Sequence, residues 1–122
     1  MKPVIIIDDD RLIAAFVDVA IQKLGFNSVT FIRVEDALKF VEKSSVDIMI
    51  TDIFMPGIGG IQGIQMFRAK FPKIKIIAMS AGWHTMSPED TIKAATEIGA
   101  DIGLQKPFTL DQLMEVVKSL GI

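Results

Sequence analysis

Four short apolar runs punctuate the chain, and each ends on a residue able to do chemistry. The segment 4–7 runs into Asp8-Asp9 and the segment 46–51 into Asp52. Residues 74–79 lead to Ser80, and residues 102–104 lead through Gln105 to Lys106-Pro107. Runs this short, rich in β-branched residues and separated by helical patterns, predict buried parallel strands. Between them the apolar spacing changes to threes and fours. Leu12, Ile13, Phe16, Val17, Ala20, Ile21 and Leu24 form the stripe of a first helix, and Gly25 supplies its stop.

A short strand is expected over 28–32, and Ala37, Leu38 and Val41 mark a second helix. Residues 55–60 read as a loop by their Pro and Gly content. A third helix turns Ile61, Ile64 and Phe67 inward and closes at Phe71-Pro72, because the residue before proline is pushed out of the α region. Ser87-Pro88-Glu89-Asp90 has the chemistry of a helix start, with serine as N-cap and proline at the first helical position. Gly99 ends that helix. Thr109 and Gln112 have the spacing of a capping box, followed by Leu113, Met114, Val117 and Leu120 facing inward. Five strands alternate with five helices, which implies a parallel sheet covered on both faces. Periodicity leaves the strand order open; the flavodoxin-like order 2-1-3-4-5 is one known solution.

Composition narrows the setting. A chain of 122 residues, 50% hydrophobic and 23% charged, fits one compact domain spanning 1–122 with its own core. The net charge of -2, without a basic cluster, argues against nucleic-acid or anionic-membrane partners. The absence of cysteine excludes disulfides and thiolate chemistry and fits a reducing, cytoplasmic setting. The N-terminal apolar stretch is too brief for a signal peptide or a membrane span.

In open parallel sheets, chemistry gathers beyond the carboxyl ends of the strands. Asp8, Asp9, Asp52, Ser80 and Lys106 are therefore expected on one edge. Two carboxylates about 4 Å apart repel by roughly 4 kcal/mol at an effective dielectric of about 20, so the cluster asks for a cation. Mg2+ suits it, being hard and oxygen-seeking. Asp9 and Asp52 are the expected direct ligands, Asp8 acts through water, and the backbone carbonyl of Phe54 completes the set. Asp10 is expected to cap the first helix instead. Asp52 is the candidate nucleophile, since a carboxylate can attack phosphorus. Lys106 and the Ser80 hydroxyl would then neutralise oxygens of the transferring group. A cis Lys106–Pro107 bond would turn the chain sharply after the lysine.

Asp8-Asp9, Asp52 with Met55-Pro56-Gly57, Ser80-Ala81 and Lys106-Pro107-Phe108 stand in the order found in receiver domains of two-component response regulators, which the chain resembles over essentially its whole length. The resemblance implies the 2-1-3-4-5 order and a phosphoryl group accepted on Asp52 from a histidine kinase or phosphotransfer protein. It also implies a requirement for Mg2+. Signalling would run through protein contacts on the face formed by helix 4, strand 5 and helix 5, where some receivers dimerise. An end just after the fifth helix resembles the stand-alone receivers, so no output domain is expected. Such a protein is a phosphoacceptor that assists its own phosphorylation and dephosphorylation rather than an enzyme.

Three departures qualify the likeness. The family usually carries Tyr or Phe three residues before the lysine, where this chain has Gly103. The segment Gly82-Trp83-His84-Thr85 lies in a lengthened loop, expected to close over the phosphoryl group; His84 is given no catalytic role. Gly59-Gly60 replaces a common Asp-Gly and is expected to leave the start of the third helix mobile. Phe54 and Gly82, two residues beyond Asp52 and Ser80, would screen the phosphoryl group, and the apolar Phe54 cannot orient an attacking water.

Two other readings compete. In a haloacid-dehalogenase-like phosphatase, Asp8-Asp9-Asp10 would serve as Asp-x-Asp. Leu12 at a normally small position, the missing later acidic pair and the lack of a lid weigh against it. A receiver-like interaction module that no longer needs phosphate has Gly103 in its favour. Three costly carboxylates and a buried lysine weigh against that.

Overall fold

The computed structural model describes residues 2–54, 59–81 and 87–121. Its order is β1 Val4–Ile7, α1 Arg11–Lys23, β2 Ser28–Phe31, α2 Val34–Lys43, β3 Ile48–Asp52, α3 Gly60–Lys70, β4 Lys75–Ser80, α4 Pro88–Ile98, β5 Ile102–Gln105 and α5 Leu110–Ser119. The five strands form one parallel sheet in the order β2-β1-β3-β4-β5. This is the doubly wound, flavodoxin-like architecture that the alternation and the resemblance led us to expect.

Period-two alternation divides the core between the two faces. Ile5, Ile7 and Met49 pack with α2, α3 and α4, whereas Val4, Ile6, Ile48 and Ile50 pack with α1 and α5. β1 and β3 are buried at every position, which explains the unbroken apolar run of β1 and the apolar Ile48-Met49-Ile50 start of β3, before Thr51 and Asp52. The helix signals also act as read. Asp10 caps α1 by accepting from the Leu12 and Ile13 amides. Ser87 caps α4 through the Asp90 amide, and Thr109 and Gln112 form the reciprocal capping box of α5. Gly25 and Gly99 follow their helices at φ 87° and 138°, in the left-handed region that favours glycine.

The phase of α1 differs from the sequence stripe. Ala14, Val17, Ala20 and Ile21 face the sheet, while Leu12 is 83% and Phe16 39% exposed. The Asp10 cap fixes where the helix begins. At 3.6 residues per turn, Leu12 and Phe16 then stand outside the inward arc that Ala14 occupies.

Candidate functional site

Register brings the chemically active residues to one edge. Ile7 pairs with Thr51, Asp52 with Met79, and Ser80 with Gln105, so the carboxyl ends of β1, β3, β4 and β5 finish within a residue or two of one another. Asp8 directly follows β1, Asp52 ends β3, Ser80 ends β4 and Lys106 directly follows β5. The Lys106 amide donates to the Ser80 carbonyl at 2.9 Å, which fixes how β5 leaves the sheet. The Lys106–Pro107 bond is cis.

The Lys106 ammonium sits between two carboxylates, 3.0 Å from Asp8 Oδ2 and 3.2 Å from Asp52 Oδ1. Asp8 also accepts from the Asp10 amide at 2.9 Å. Asp9 is exposed at the rim, yet one oxygen from each of Asp8, Asp9 and Asp52 can lie within 4.8 Å of the other two. Burial dominates the titration of the two inner carboxyls. It pushes Asp52 up to about 6 from 3.8; Lys106 opposes the shift and Asp8 adds to it. Asp8 is likewise raised by burial, against the Asp10 amide and Lys106. Burial draws Lys106 down, but the Asp52 and Asp8 charges outweigh it and the net shift is upward. One ammonium thus serves two buried carboxylates, with a third at the rim. The donor set is all oxygen and carries excess negative charge, which fits a hard divalent cation such as Mg2+.

Ser80 is fully buried, and its hydroxyl lies 2.6 Å from that of Thr91 on α4. Thr91, itself 1% exposed, escaped the sequence reading. A lone threonine in the first turn of a helix carries no signal until its neighbour is known. Phe54 follows Asp52 by two residues, its ring partly buried against the core. Asp10 is taken up by the α1 cap, which removes the second acid of an Asp8-x-Asp10 pair. The Met55-Pro56-Gly57 turn and the Gly82-Trp83-His84-Thr85 loop lie outside the described residues.

Two glycines have reasons that sequence did not reveal. A Cβ on Gly60 would fall 2.2 Å from the Asp52 carbonyl oxygen and 2.5 Å from Ile53 Cα, and the Gly60 amide donates to the Ile53 carbonyl at 2.7 Å. Glycine there permits a close backbone approach to the end of β3. A Cβ on Gly103 would fall 1.9 Å from Ile92 Cγ2. The space beside β5 where the family usually carries an aromatic is taken by a side chain of α4.

Comparison with known proteins places this geometry in a lineage. The family described as "Response regulator receiver domain" matches residues 4–118. The transcriptional regulatory protein PrrA of Mycobacterium tuberculosis is 31% identical over 117 residues, covering 96% of this chain and 48% of that protein. The Escherichia coli DNA-binding transcriptional regulator NtrC is 28% identical over 113 residues, covering 93% of this chain and 23% of its own length. The chain therefore spans about half or less of these curated relatives. A response regulator from Thermotoga maritima has a similar structure, with a TM-score of 0.83 at 29% identity and 98% of each chain covered. The receiver domain of Francisella response regulator 1452 gives 0.84 at 26% identity, covering 98% of this chain and 96% of that one. Because the match runs from β1 into α5 and takes in every strand end that bears the acidic pocket, the chain belongs to the response regulator receiver domain family.

Proposed function

We propose that this domain accepts a phosphoryl group on Asp52 from a phosphohistidine of a histidine kinase or phosphotransfer protein. The observation that carries the reading is Lys106, held 3.0 Å and 3.2 Å from carboxylates of two different strand ends. In the transfer, an Asp52 oxygen forms the new O–P bond while the donor's P–N bond breaks and its electron pair returns to the imidazole ring. Alignment and charge neutralisation make up most of the catalysis of such a step. Lys106 would neutralise one phosphoryl oxygen and the Ser80 hydroxyl would donate to another. Asp8, Asp9, Asp52 and the Phe54 carbonyl would hold Mg2+, whose bound charge offsets the negative charge gathered on the phosphoryl oxygens.

A protein donor needs a place to dock. Leu12, Phe16 and Val19 leave an exposed apolar stripe on α1, which begins beside Asp9 and Asp10. Output would run through protein contacts with a downstream target or a second copy on the α4, β5 and α5 face. A shallow groove of about 440 Å³ lies there, lined by Ile102, Leu104, Pro107 and Val116 among others. The proposal needs no enzyme turnover of an outside substrate and no output domain within 1–122. Among the described residues, no helix is long and apolar enough to cross a membrane.

The test is incubation with phosphoramidate and magnesium, followed by intact-mass and peptide mass spectrometry. One phosphoryl adduct on the Asp52 peptide, lost in Asp52→Asn and on chelation of magnesium, is the expected result. No adduct on the wild type, or an undiminished one on Asp52→Asn, overturns the assignment. Partner binding indifferent to both phosphodonor and Asp52→Asn would favour a phosphate-independent module.

A further inference from the structure

Each hydroxyl in the buried Ser80–Thr91 pair has one proton to give. The Thr91 hydroxyl lies 2.9 Å from the Pro88 carbonyl and 3.3 Å from that of Ser87, so two acceptors in its own helical turn compete for its proton. Either hydroxyl could donate across the 2.6 Å between them; with the Thr91 proton drawn toward its own helix, the assignment that fits is Ser80 as donor and Thr91 as acceptor. A phosphoryl oxygen on Asp52 is acceptor-only and calls on that same Ser80 proton. In that assignment the two uses compete for one proton.

We propose that Thr91 is a positioning residue for Ser80: it holds the Ser80 hydroxyl in the resting protein and must release it when the phosphoryl group arrives, which ties phosphorylation to the first turn of α4. The inference rests on the phosphoacceptor reading above. It draws further support from the next residue, Ile92, whose Cγ2 lies 1.9 Å from where a Gly103 Cβ would stand. The same turn of α4 is thus tied to β4 through a hydroxyl and seated directly on the β5 backbone. A change in the Ser80 bond is felt by an element that no aromatic at position 103 separates from the sheet.

Thr91→Val keeps the shape and removes the acceptor; Thr91→Ser restores it. With beryllofluoride and magnesium as the phosphoryl probe, Thr91→Val should bind about three- to tenfold more tightly, the range set by one neutral hydrogen bond. Thr91→Ser should stay near wild type. In a Ser80→Ala background the Thr91→Val effect should vanish, which a merely structural role would not produce. By reciprocity, the probe should speed hydrogen exchange at the Thr91 amide in the wild type but add nothing in Thr91→Val. If Thr91→Val does not fold, Thr91→Ala serves in the same arms. Affinity within twofold of wild type, or an equal shift with and without Ser80, overturns the inference alone. A wild type that does not bind beryllofluoride overturns it together with the phosphoacceptor reading.

Discussion

Replacing Asp52 by Asn should stabilise the metal-free protein, and the gain should grow with pH. In the folded chain burial holds the Asp52 carboxyl at about 6, against an ordinary value of 3.8. Between those two values the folded state keeps a proton that the unfolded chain has released. Stability must therefore fall as pH rises through that window and level off above it. The gap of about two pH units corresponds to about 3 kcal/mol at neutral pH, an upper estimate because Lys106 is shared with Asp8. Asparagine has nearly the same shape and never ionises. The difference between variant and wild type should thus be near zero below about pH 4 and approach ~3 kcal/mol above about pH 7.

Urea unfolding followed by circular dichroism, from pH 4 to 8 in a chelator, reads this directly. For a domain of this size the full gain is on the order of a 10 °C rise in Tm. Saturating magnesium should close the gap by stabilising only the wild type, by about 2.7 kcal/mol at a hundred times Kd. A difference that is flat with pH, or an Asn variant less stable at pH 7, would refute the reasoning. In either case burial would not be the dominant influence on Asp52.

Lys106→Met should destabilise the protein at pH 7 by about 1–3 kcal/mol, because Asp8 and Asp52 lose their shared cation. The loss should shrink as pH drops and both carboxyls protonate, which the same urea series checks. Gly60→Ala should cost about 2 kcal/mol or more, since its Cβ would meet the Asp52 carbonyl oxygen at 2.2 Å and backbone cannot yield cheaply. Thermal unfolding measures the cost, and a neutral result would mean that α3 shifts freely. Leu12→Ala should slow phosphotransfer from a protein phosphohistidine several-fold while leaving phosphoramidate labelling unchanged, and parallel time courses with the two donors separate these outcomes. Equal slowing with both donors would place Leu12 in the site rather than on a docking surface.

The sheet was legible because parallel strands buried on both faces read as unbroken apolar runs. β1 and β3 are buried at every position, and their ends fell where the acids begin. Helix termini were legible for a local reason: Asp10, Ser87 and Thr109 each cap with their own side chain, within three residues. Non-local geometry was not legible. Thr91 acquires meaning only once β4 delivers Ser80 to it. Arg68 donates to the Gly99, Pro72 and Ile74 carbonyls and pairs with Asp101, clamping the far end of the sheet, yet in sequence it is one more basic residue near a helix end. The close approach of Gly60 to the Asp52 carbonyl was not legible either, since only the fold shows which backbone it meets. The stripe of α1 misled by one arc because Leu and Phe outweigh Ala in any apolar pattern, whereas the sheet takes the arc of Ala14, Val17, Ala20 and Ile21.

Both side-chain donors that a phosphoryl group would use are already engaged in the structure. Lys106 bridges Asp8 and Asp52, and Ser80 bonds Thr91. A phosphoryl group on Asp52 replaces a single carboxylate charge with roughly -1.5 to -2 and three strong acceptors. It therefore competes for both donors at once, drawing Lys106 from Asp8 and Ser80 from α4. The first loss leaves Asp8, already raised by burial, without its ammonium and strengthens the demand for a cation. The second frees the helix that Ile92 seats on Gly103. On the proposed coupling, a receiver with a glycine at that position would still tie its site to its α4 surface, through a hydroxyl and a direct helix-to-strand contact rather than through the rotation of an aromatic ring.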